Sequence, residues 1–198
     1  MINLETRYSI DEIKSKYNPI ITVFGSSTCN ENSKLYVLAS NIGEIIAKNG
    51  YTTASGGYTC VMSGIAKGST KNGGRSIGIT TDEITSVKPS KYLTEEFREY
   101  TLMSRLEILI NISDAFVVLP GSSGTLTELA LVWDKQKLGL IPVKPCYLIG
   151  KTWHKIFNII FKNNDSLVNK SHWKKDEEVE NACVLINELH DLNNALKN

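Results

Sequence analysis

Residues 115–128 read AFVVLPGSSGTLTE, and this stretch decides which fold the sequence predicts. Its first five residues are apolar, which is the length and character of one buried strand. Glycine and serine residues then form a turn, and over residues 125–138 apolar side chains recur at helical spacing. A buried strand that leads through a short glycine turn into a helix is typical of β-α-β units in parallel sheets.

The same alternation of strand and helix continues on both sides of that stretch. Strands are predicted at residues 19–24, 51–54, 76–80, 115–119 and 145–149. Helices are predicted at residues 33–49, 61–69, 101–112, 125–138, 152–162 and 176–196. We expect residues 1–18 to form an N-terminal arm or short helix, and the polar residues 81–100 to form an irregular, mobile flap. The alternation requires right-handed crossovers, so the sequence predicts a single α/β domain over residues 1–198, with a three-layer, Rossmann-like, doubly wound parallel sheet.

The composition excludes one large class of protein. The chain has 198 residues, with 22 Lys and Arg against 21 Asp and Glu, and a formal net charge of +1. Proteins that neutralise many phosphates of a nucleic acid are usually basic overall, so we expect no nucleic-acid partner. A single phosphate held at one site stays compatible with this charge.

The cysteines and the N-terminal residues indicate the type of compartment. Cys29, Cys60, Cys146 and Cys183 are far apart, and none has a Cys or His at metal-ligand spacing. We therefore expect buried, reduced thiols and no metal site. The N-terminal residues are charged throughout, and no run approaches the roughly 18 apolar residues of a membrane span. These features favour a cytoplasmic protein without a membrane partner.

Three of the predicted strands end in loops of glycine and serine, at residues 25–27, 55–57 and 121–124. In a doubly wound sheet, ligands bind at the carboxyl ends of the strands, so these loops predict one small-molecule cleft. The loop at residues 121–124 also leads into a helix, which Thr125 is placed to cap and whose first amides attract anions. The candidate phosphate-binding residues are Gly121, Ser122, Ser123, Gly124 and Thr125. The alternative is a tight turn without a ligand, since neither a Walker lysine nor a GxGxxG pattern is present.

Glu128 lies one turn into the helix that follows this loop. We expect the packing face of that helix to be formed by Leu126, Leu129, Ala130 and Trp133. Leu131 and Val132 lie on the same side as Glu128, so the helix has apolar residues on both faces and is expected to meet a partner surface. A carboxylate at this distance from a phosphate cradle is well placed to reach the ribose of a bound nucleotide.

Arg105 is the second charged residue of interest, because arginine is scarce in this chain. The helix at residues 101–112 has a predicted core stripe formed by Leu102, Leu106, Leu109 and Ile110. Arg105 lies at the edge of that stripe. A guanidinium among apolar neighbours needs an acidic partner, and bidentate binding of phosphate or carboxylate suits it. The alternative is an arginine whose stem packs on the helix while its head reaches solvent.

These features, taken in order, resemble the LOG ("lonely guy") family. That family has a PGGxGTxxE loop and helix start, preceded by an arginine-bearing helix and a strand that starts with SDA. Here residues 103–107 read MSRLE, residues 113–116 read SDAF and residues 120–128 read PGSSGTLTE. A GGGxxGLMG-like segment of the family is similar to residues 55–64, SGGYTCVMSG. The resemblance covers about residues 20–160.

The sequence departs from the family pattern at three positions. Ser122 replaces the second glycine of the signature, and Cys60 replaces a glycine of the upstream segment. Leu106 stands where the cytokinin-activating members carry a lysine. The pattern is closer to less characterised microbial members of the family, and it predicts no particular base.

The resemblance implies a hydrolase that cleaves the N-glycosidic bond of a nucleoside 5′-monophosphate into free base and ribose 5-phosphate, with no metal or organic cofactor. It implies that Glu128 and Arg105 are the catalytic residues. It also implies a substrate pocket lined by Gly25, Ser26, Ser27, Gly56, Gly57 and Met62. The implied partners are a small nucleotide and a second copy of the chain in a homodimer. A non-catalytic nucleotide sensor and a carrier of a phosphorylated cofactor, such as molybdenum cofactor, stay open as alternatives.

Overall fold

A seven-stranded parallel sheet lies at the centre of the computed structural model, which describes residues 5–162, 183–186 and 189–197. The strands are β1 (Ile20–Phe24), β2 (Thr52–Ser55), β3 (Ser76–Thr81), β4 (Glu95–Glu99), β5 (Ala115–Val118), β6 (Cys146–Ile149) and β7 (Cys183–Ile186). The helices are α1 (Ile10–Tyr17), α2 (Lys34–Lys48), α3 (Val61–Lys71), α4 (Leu102–Asn111), α5 (Ser123–Lys137), α6 (Lys151–Lys162) and α7 (Leu189–Ala195). Among the residues described, no helix combines the length and the apolar character needed to cross a membrane.

The sheet changes its winding direction beside β1. Its strand order is β4-β3-β2-β1-β5-β6-β7, and every neighbouring pair is parallel. The chain therefore runs outward from β1 to β4, returns, and runs outward on the other side from β5. The predicted doubly wound α/β fold is confirmed, and its switch point, where such sheets bind ligands, lies between β1 and β5.

Two apolar cores cover the two faces of the sheet. On β1, Ile20 and Phe24 join one core, whereas Ile21 and Val23 join the other. All five residues of β1 are buried, because helices cover both faces of a parallel sheet. Runs rich in apolar and β-branched residues, such as residues 20–24, therefore mark the central strands of this fold.

The predicted flap at residues 81–100 is wrong in two respects. Its last part forms β4, an edge strand that pairs with β3 from Ile77↔Glu95 to Thr81↔Glu99. The sequence of β4, EEFRE, is charged because it lies at the edge of the sheet, where charges discourage pairing with other chains. The preceding loop is fixed to the body of the protein, since the Ser90 backbone N–H donates to the Gly57 carbonyl at 2.8 Å.

The predicted helix at residues 176–196 is also corrected in the part that the structure describes. Residues Cys183–Ile186 form β7, which pairs with β6, and the helix begins only at Leu189. The four residues CVLI carry the β-branched, apolar character of a strand, and pairing with β6 outweighs their fit to a long helical pattern. Residues 163–182, with the first part of that predicted helix, lie outside the described residues.

The prediction of four separate, reduced cysteines is wrong for one pair. Cys29 and Cys60 form a disulfide between Cα atoms 4.9 Å apart, although 31 positions separate them in the sequence. They meet because the loops after β1 and β2, two neighbouring parallel strands, lie at the same edge of the sheet. Cys146 keeps its thiol and is buried, whereas the side chain of Cys183 lies outside the described part of the chain.

Candidate functional site

The loops that follow β1, β2 and β5 meet at the carboxyl edge of the sheet, beside the switch point. The Ser26 backbone N–H donates to the Pro120 carbonyl at 3.1 Å, which joins the β1 loop to the β5 loop. The Ser26 carbonyl accepts from the Val61 N–H at 3.1 Å, and the Ser27 carbonyl accepts from the Thr59 hydroxyl at 2.7 Å. The three loops rich in glycine and serine thus meet at one place, where doubly wound sheets have their ligand-binding crevice.

The start of α5 forms one side of this crevice. Ser122 is the N-cap residue and makes no side-chain capping bond, so the expected cap at Thr125 is wrong. Thr125 is instead the third residue of the helix and is buried under Gly121, where an added Cβ would lie 2.1 Å from the Thr125 Oγ1. Residues 121–124 are exposed, and in the described structure the first backbone bond into this helix is from Leu126 N–H to the Ser122 carbonyl. Ser123 and Gly124 precede that bond and are exposed, so their amides lie at an accessible surface, as an anion cradle requires.

The packing face of α5 differs from the predicted one. The buried residues of α5 are Thr125, Leu129, Val132 and Gln136. Of the residues expected on that face, Leu126 is 44% exposed and Ala130 is exposed, whereas Leu129 is buried as expected. The helix begins two residues earlier than predicted, at Ser123. Its buried face includes Thr125 and Leu129, whereas Leu126 lies on the exposed side. Glu128 lies beside that stripe and is half-buried.

Glu128 has an unusual protonation equilibrium. Burial raises the pKa of Glu128 to about 7, while attraction to the nearby Arg105 guanidinium opposes that rise. Arg105 acts through its charge alone, since no hydrogen bond contributes to the pKa of Glu128. A partly buried carboxyl group that is half-ionised near neutral pH and lies close to an arginine is suited to acid–base chemistry or to the stabilisation of a positive charge.

Arg105 faces Glu128 from α4. Its helix begins with a reciprocal capping box between Thr101 and Ser104, and the Glu83 carboxylate accepts the Leu102 N–H at 2.6 Å. Arg105 itself is only 6% exposed, and its Nε–H donates to the Ile79 carbonyl at 2.7 Å. Burial lowers the pKa of Arg105, and the charge of Glu128 acts in the opposite direction. The arginine is thus a buried cation next to a carboxyl group and not a surface side chain.

The predicted pocket residues have different surroundings. At Gly56, an added Cβ would lie 1.7 Å from Arg105 Nη2 and 2.9 Å from the Met62 sulfur, so the guanidinium rests directly against this backbone. Gly57 has a φ of +78° and packs its backbone against β3. Gly25 lies against Val61, where an added Cβ would be 2.7 Å from a methyl group.

The remaining pocket candidates lie nearer the solvent. Ser26 is half-buried between the β1 and β5 loops, and Ser27 is exposed. Met62 is 8% exposed, in the first turn of α3. Of the six predicted pocket residues, Gly56 and Met62 therefore lie near the guanidinium of Arg105, whereas the two serines belong to the loop after β1.

Two contributors to the site carry no recognisable sequence signal. One is the Ile79 carbonyl in β3, since any residue supplies a carbonyl. The other is Tyr58, which is 5% exposed and whose ring centre lies 6.0 Å from the Arg105 Cζ. Tyr58 lies inside the segment that resembles the family pattern, yet no spacing rule identifies it.

A family model described as "LDcluster4: SLOG cluster4 family" matches residues 18–178. Among relatives, the chain is 32% identical over 125 residues to a cytokinin riboside 5′-monophosphate phosphoribohydrolase of Mycobacterium tuberculosis, covering 62% of this chain and 66%, just under two thirds, of that protein. It is 26% identical over 182 residues to a probable cytokinin riboside 5′-monophosphate phosphoribohydrolase of Oryza sativa, covering 90% of this chain and 80% of that protein.

Two solved structures share the fold. A molybdenum cofactor carrier protein of Chlamydomonas reinhardtii has a TM-score of 0.66 at 22% identity, covering 90% of this chain and 96% of that chain. A molybdenum cofactor binding protein of Rippkaea orientalis has a TM-score of 0.68 at 21% identity, covering 92% and 97%. At this level of identity, the likeness concerns the fold alone.

Proposed function

The chain belongs to the SLOG cluster4 family, a family of the LOG type, and from that premise we propose that it hydrolyses a nucleoside 5′-monophosphate to free base and ribose 5-phosphate. The observation that carries the proposal is the half-buried Glu128, with a pKa of about 7, facing the buried Arg105 beside the start of α5. The phosphoribohydrolase names of the relatives support the same reaction class.

The exposed start of α5 is proposed to hold the 5′-phosphate. Residues Gly121, Ser122, Ser123, Gly124 and Thr125 supply the loop and the helix amides, and the helix N-terminus adds a partial positive charge. Glu128 lies one turn further along the same helix. Because a fixed phosphate places the attached ribose at a fixed distance, the cradle would present the sugar to Glu128.

Glu128 is proposed to act on the anomeric carbon of the ribose. When the bond from C1′ to the base nitrogen breaks, the sugar gains oxocarbenium character, which an ionised carboxylate stabilises. The oxygen of a water molecule then bonds to C1′; one of its protons stays on the new C1′ hydroxyl group, and the other goes to the nitrogen of the departing base. The ionised form of Glu128 is also the form that can accept a proton from that water.

Arg105 is proposed to orient the substrate and to keep part of the Glu128 population ionised. Its charge opposes the effect of burial on the pKa of Glu128. Without that charge, the carboxyl group would be more fully protonated at neutral pH and less able to stabilise a cation.

The proposal is tested by incubating the protein with AMP, CMP, GMP, UMP and IMP and measuring ribose 5-phosphate. The corresponding nucleosides, which lack the phosphate, serve as controls, and they are expected to react at least about 100-fold more slowly if the cradle binds the phosphate. Glu128→Ala is expected to abolish turnover and to leave the fold intact. Activity that survives in Glu128→Ala would contradict the assignment of this residue.

Binding without hydrolysis is the second candidate function, and the names of the fold relatives as molybdenum cofactor carriers bring it forward. A cradle at the start of α5 and a buried arginine serve a phosphorylated cofactor as well as a nucleotide. Detection of a bound 5′-monophosphate with no ribose 5-phosphate formed would support this function. The hydrolase proposal would then fail.

We further propose that the protein acts as a homodimer, but not through Leu131 and Val132, which the sequence predicts at a partner surface. Val132 is buried in the core of its own chain, and Leu131 packs partly against that core. Instead, Leu102, Met103 and Leu126, on the first turns of α4 and α5, are 42%, 51% and 44% exposed. We propose that these three side chains lie in the subunit interface, because exposed apolar side chains that form one patch mark protein–protein contacts. Sedimentation that showed a monomer at micromolar concentration would contradict the dimer.

A further inference from the structure

The Arg105 guanidinium is held in place with very few hydrogen bonds. Its Nε–H donates to the Ile79 carbonyl at 2.7 Å, and this is the one hydrogen bond of the guanidinium within the described residues. Its charge faces Glu128 without a direct ion pair in that part of the chain. The terminal N–H groups are therefore available to a ligand, but something other than hydrogen bonds must fix their position.

The loop after β2 supplies that support. The backbone of Gly56 approaches so closely that an added Cβ would lie 1.7 Å from Arg105 Nη2. In addition, the ring of Tyr58 presents its face to the guanidinium, with the Arg105 Cζ 6.0 Å from the ring centre. Tyr58 is 5% exposed, so this contact is shielded from water, which strengthens the attraction between a cation and an aromatic face.

The hydroxyl end of Tyr58 is itself fixed by two hydrogen bonds. Its hydroxyl accepts a hydrogen bond from the Thr81 N–H at 3.0 Å and donates to the Thr81 carbonyl at 3.4 Å. Thr81 is the last residue of β3, the strand whose Ile79 carbonyl accepts from Arg105. The ring is therefore anchored to the same strand that binds the Nε–H.

We propose that Tyr58 is a positioning residue, whose ring holds the Arg105 guanidinium opposite Glu128 and leaves its terminal N–H groups for the substrate. This inference rests on the proposed function for its catalytic consequence. An aromatic face stabilises a cation without accepting its hydrogens, whereas a carboxylate in the same place would occupy the donors that the ligand needs. The ring thus fixes the arginine without competing with the substrate.

The test compares three single substitutions. Tyr58→Leu removes the ring, and Tyr58→Phe keeps the ring but removes the bonds to Thr81. Tyr17→Leu is the matched control, because Tyr17 is a tyrosine with 2% exposure that packs on Phe97, at the end of the sheet opposite the crevice. The first measurement is hydrogen exchange at the Arg105 Nε–H by NMR, which needs no substrate.

We expect the Arg105 Nε–H to exchange about tenfold faster in Tyr58→Leu than in the Tyr17→Leu control, as the loss of a shielded cation–aromatic contact implies. Tyr58→Phe is expected to stay within about threefold of the unaltered protein. In turnover of a nucleoside 5′-monophosphate, Tyr58→Leu is expected to lower kcat by about tenfold, whereas Tyr17→Leu leaves it unchanged.

Two results would overturn the inference. One is equal exchange at the Arg105 Nε–H in Tyr58→Leu and the unaltered protein. The other is equal acceleration in Tyr58→Leu and Tyr17→Leu, which would reduce the role of Tyr58 to general stability. If the protein proves not to be a hydrolase, the exchange measurement still decides whether Tyr58 holds Arg105, so the two failures are distinguishable.

Discussion

Replacement of Glu128 by glutamine is expected to change the pH dependence of stability. The free energy of unfolding of the variant, minus that of the unaltered protein, is expected to be larger at pH 8 than at pH 4. Burial raises the pKa of Glu128 from an ordinary value of 4.5 to about 7 in the folded state. The folded protein therefore binds this proton more tightly than the unfolded chain does. The free energy of unfolding then falls as the pH rises from about 4.5 to about 7, and it stays lower above that range.

The size of the effect follows from these two pKa values. One pKa unit corresponds to about 1.4 kcal/mol, so ionisation of Glu128 lowers the free energy of unfolding by about 3 kcal/mol between pH 4 and pH 8. Glutamine has nearly the same shape and does not titrate, so the variant lacks this loss. The pKa of about 7 already includes the attraction between Glu128 and Arg105, so the pH-dependent difference needs no separate correction for the loss of that attraction in the variant.

Urea denaturation of both proteins at several pH values between 4 and 8 measures the difference. We expect the stability of Glu128→Gln minus that of the unaltered protein to increase by about 3 kcal/mol over this range, with the change concentrated between pH 4.5 and pH 7. Glu107→Gln is a matched control on the neighbouring α4, because Glu107 is a partly exposed carboxylate that pairs with Lys135. A difference that is the same at pH 4 and pH 8 would refute the account of Glu128.

Three further predictions concern the same crevice. Gly56→Ala is expected to lower kcat by about 100-fold, because the added methyl displaces the Arg105 guanidinium; circular dichroism confirms that the variant folds, and unchanged kinetics would contradict the contact. The rate constant kcat/KM is expected to rise with pH up to about 7 and then level off, since the ionised Glu128 is the active form; a profile that falls over this range would oppose that role. Replacement of both Cys29 and Cys60 by serine is expected to lower the free energy of unfolding by about 4 kcal/mol, because the disulfide closes a loop of 31 positions; equal stability in denaturant would argue against the bond.

The central strands and the helices between them could be predicted because their sequences carry local signals. β5 is an uninterrupted apolar run, and β1 is apolar except for Thr22, as expected of strands buried on both faces. β4 lacks that signal, because an edge strand with the sequence EEFRE is exposed to solvent and relies on pairing with β3. The residues of β7 lie within the helix predicted at residues 176–196, and they form a strand because they pair with β6.

Residues of the candidate site could be selected from the sequence where their type and position are distinctive. Residues that join the site only because the fold brings them together could not. Arg105 and Glu128 could be selected from the sequence because scarce arginines and carboxylates near helix starts are recognisable. The disulfide between Cys29 and Cys60 could not, since it depends on the distance between two loops that the sheet brings together. Tyr58 could not either, because an aromatic residue in a loop has no spacing that distinguishes a support for a cation from ordinary packing.

The most direct measurement of the central claim is the stoichiometry of products from a nucleoside 5′-monophosphate. With purified protein and each of the five common monophosphates, the account predicts that at least one yields free base and ribose 5-phosphate in equal amounts. It also predicts that Glu128→Gln forms these products at least about 100-fold more slowly. The urea denaturation measurements check that this variant is folded. Formation of neither product from any of the five by the unaltered protein, or equal rates in Glu128→Gln, would contradict the account.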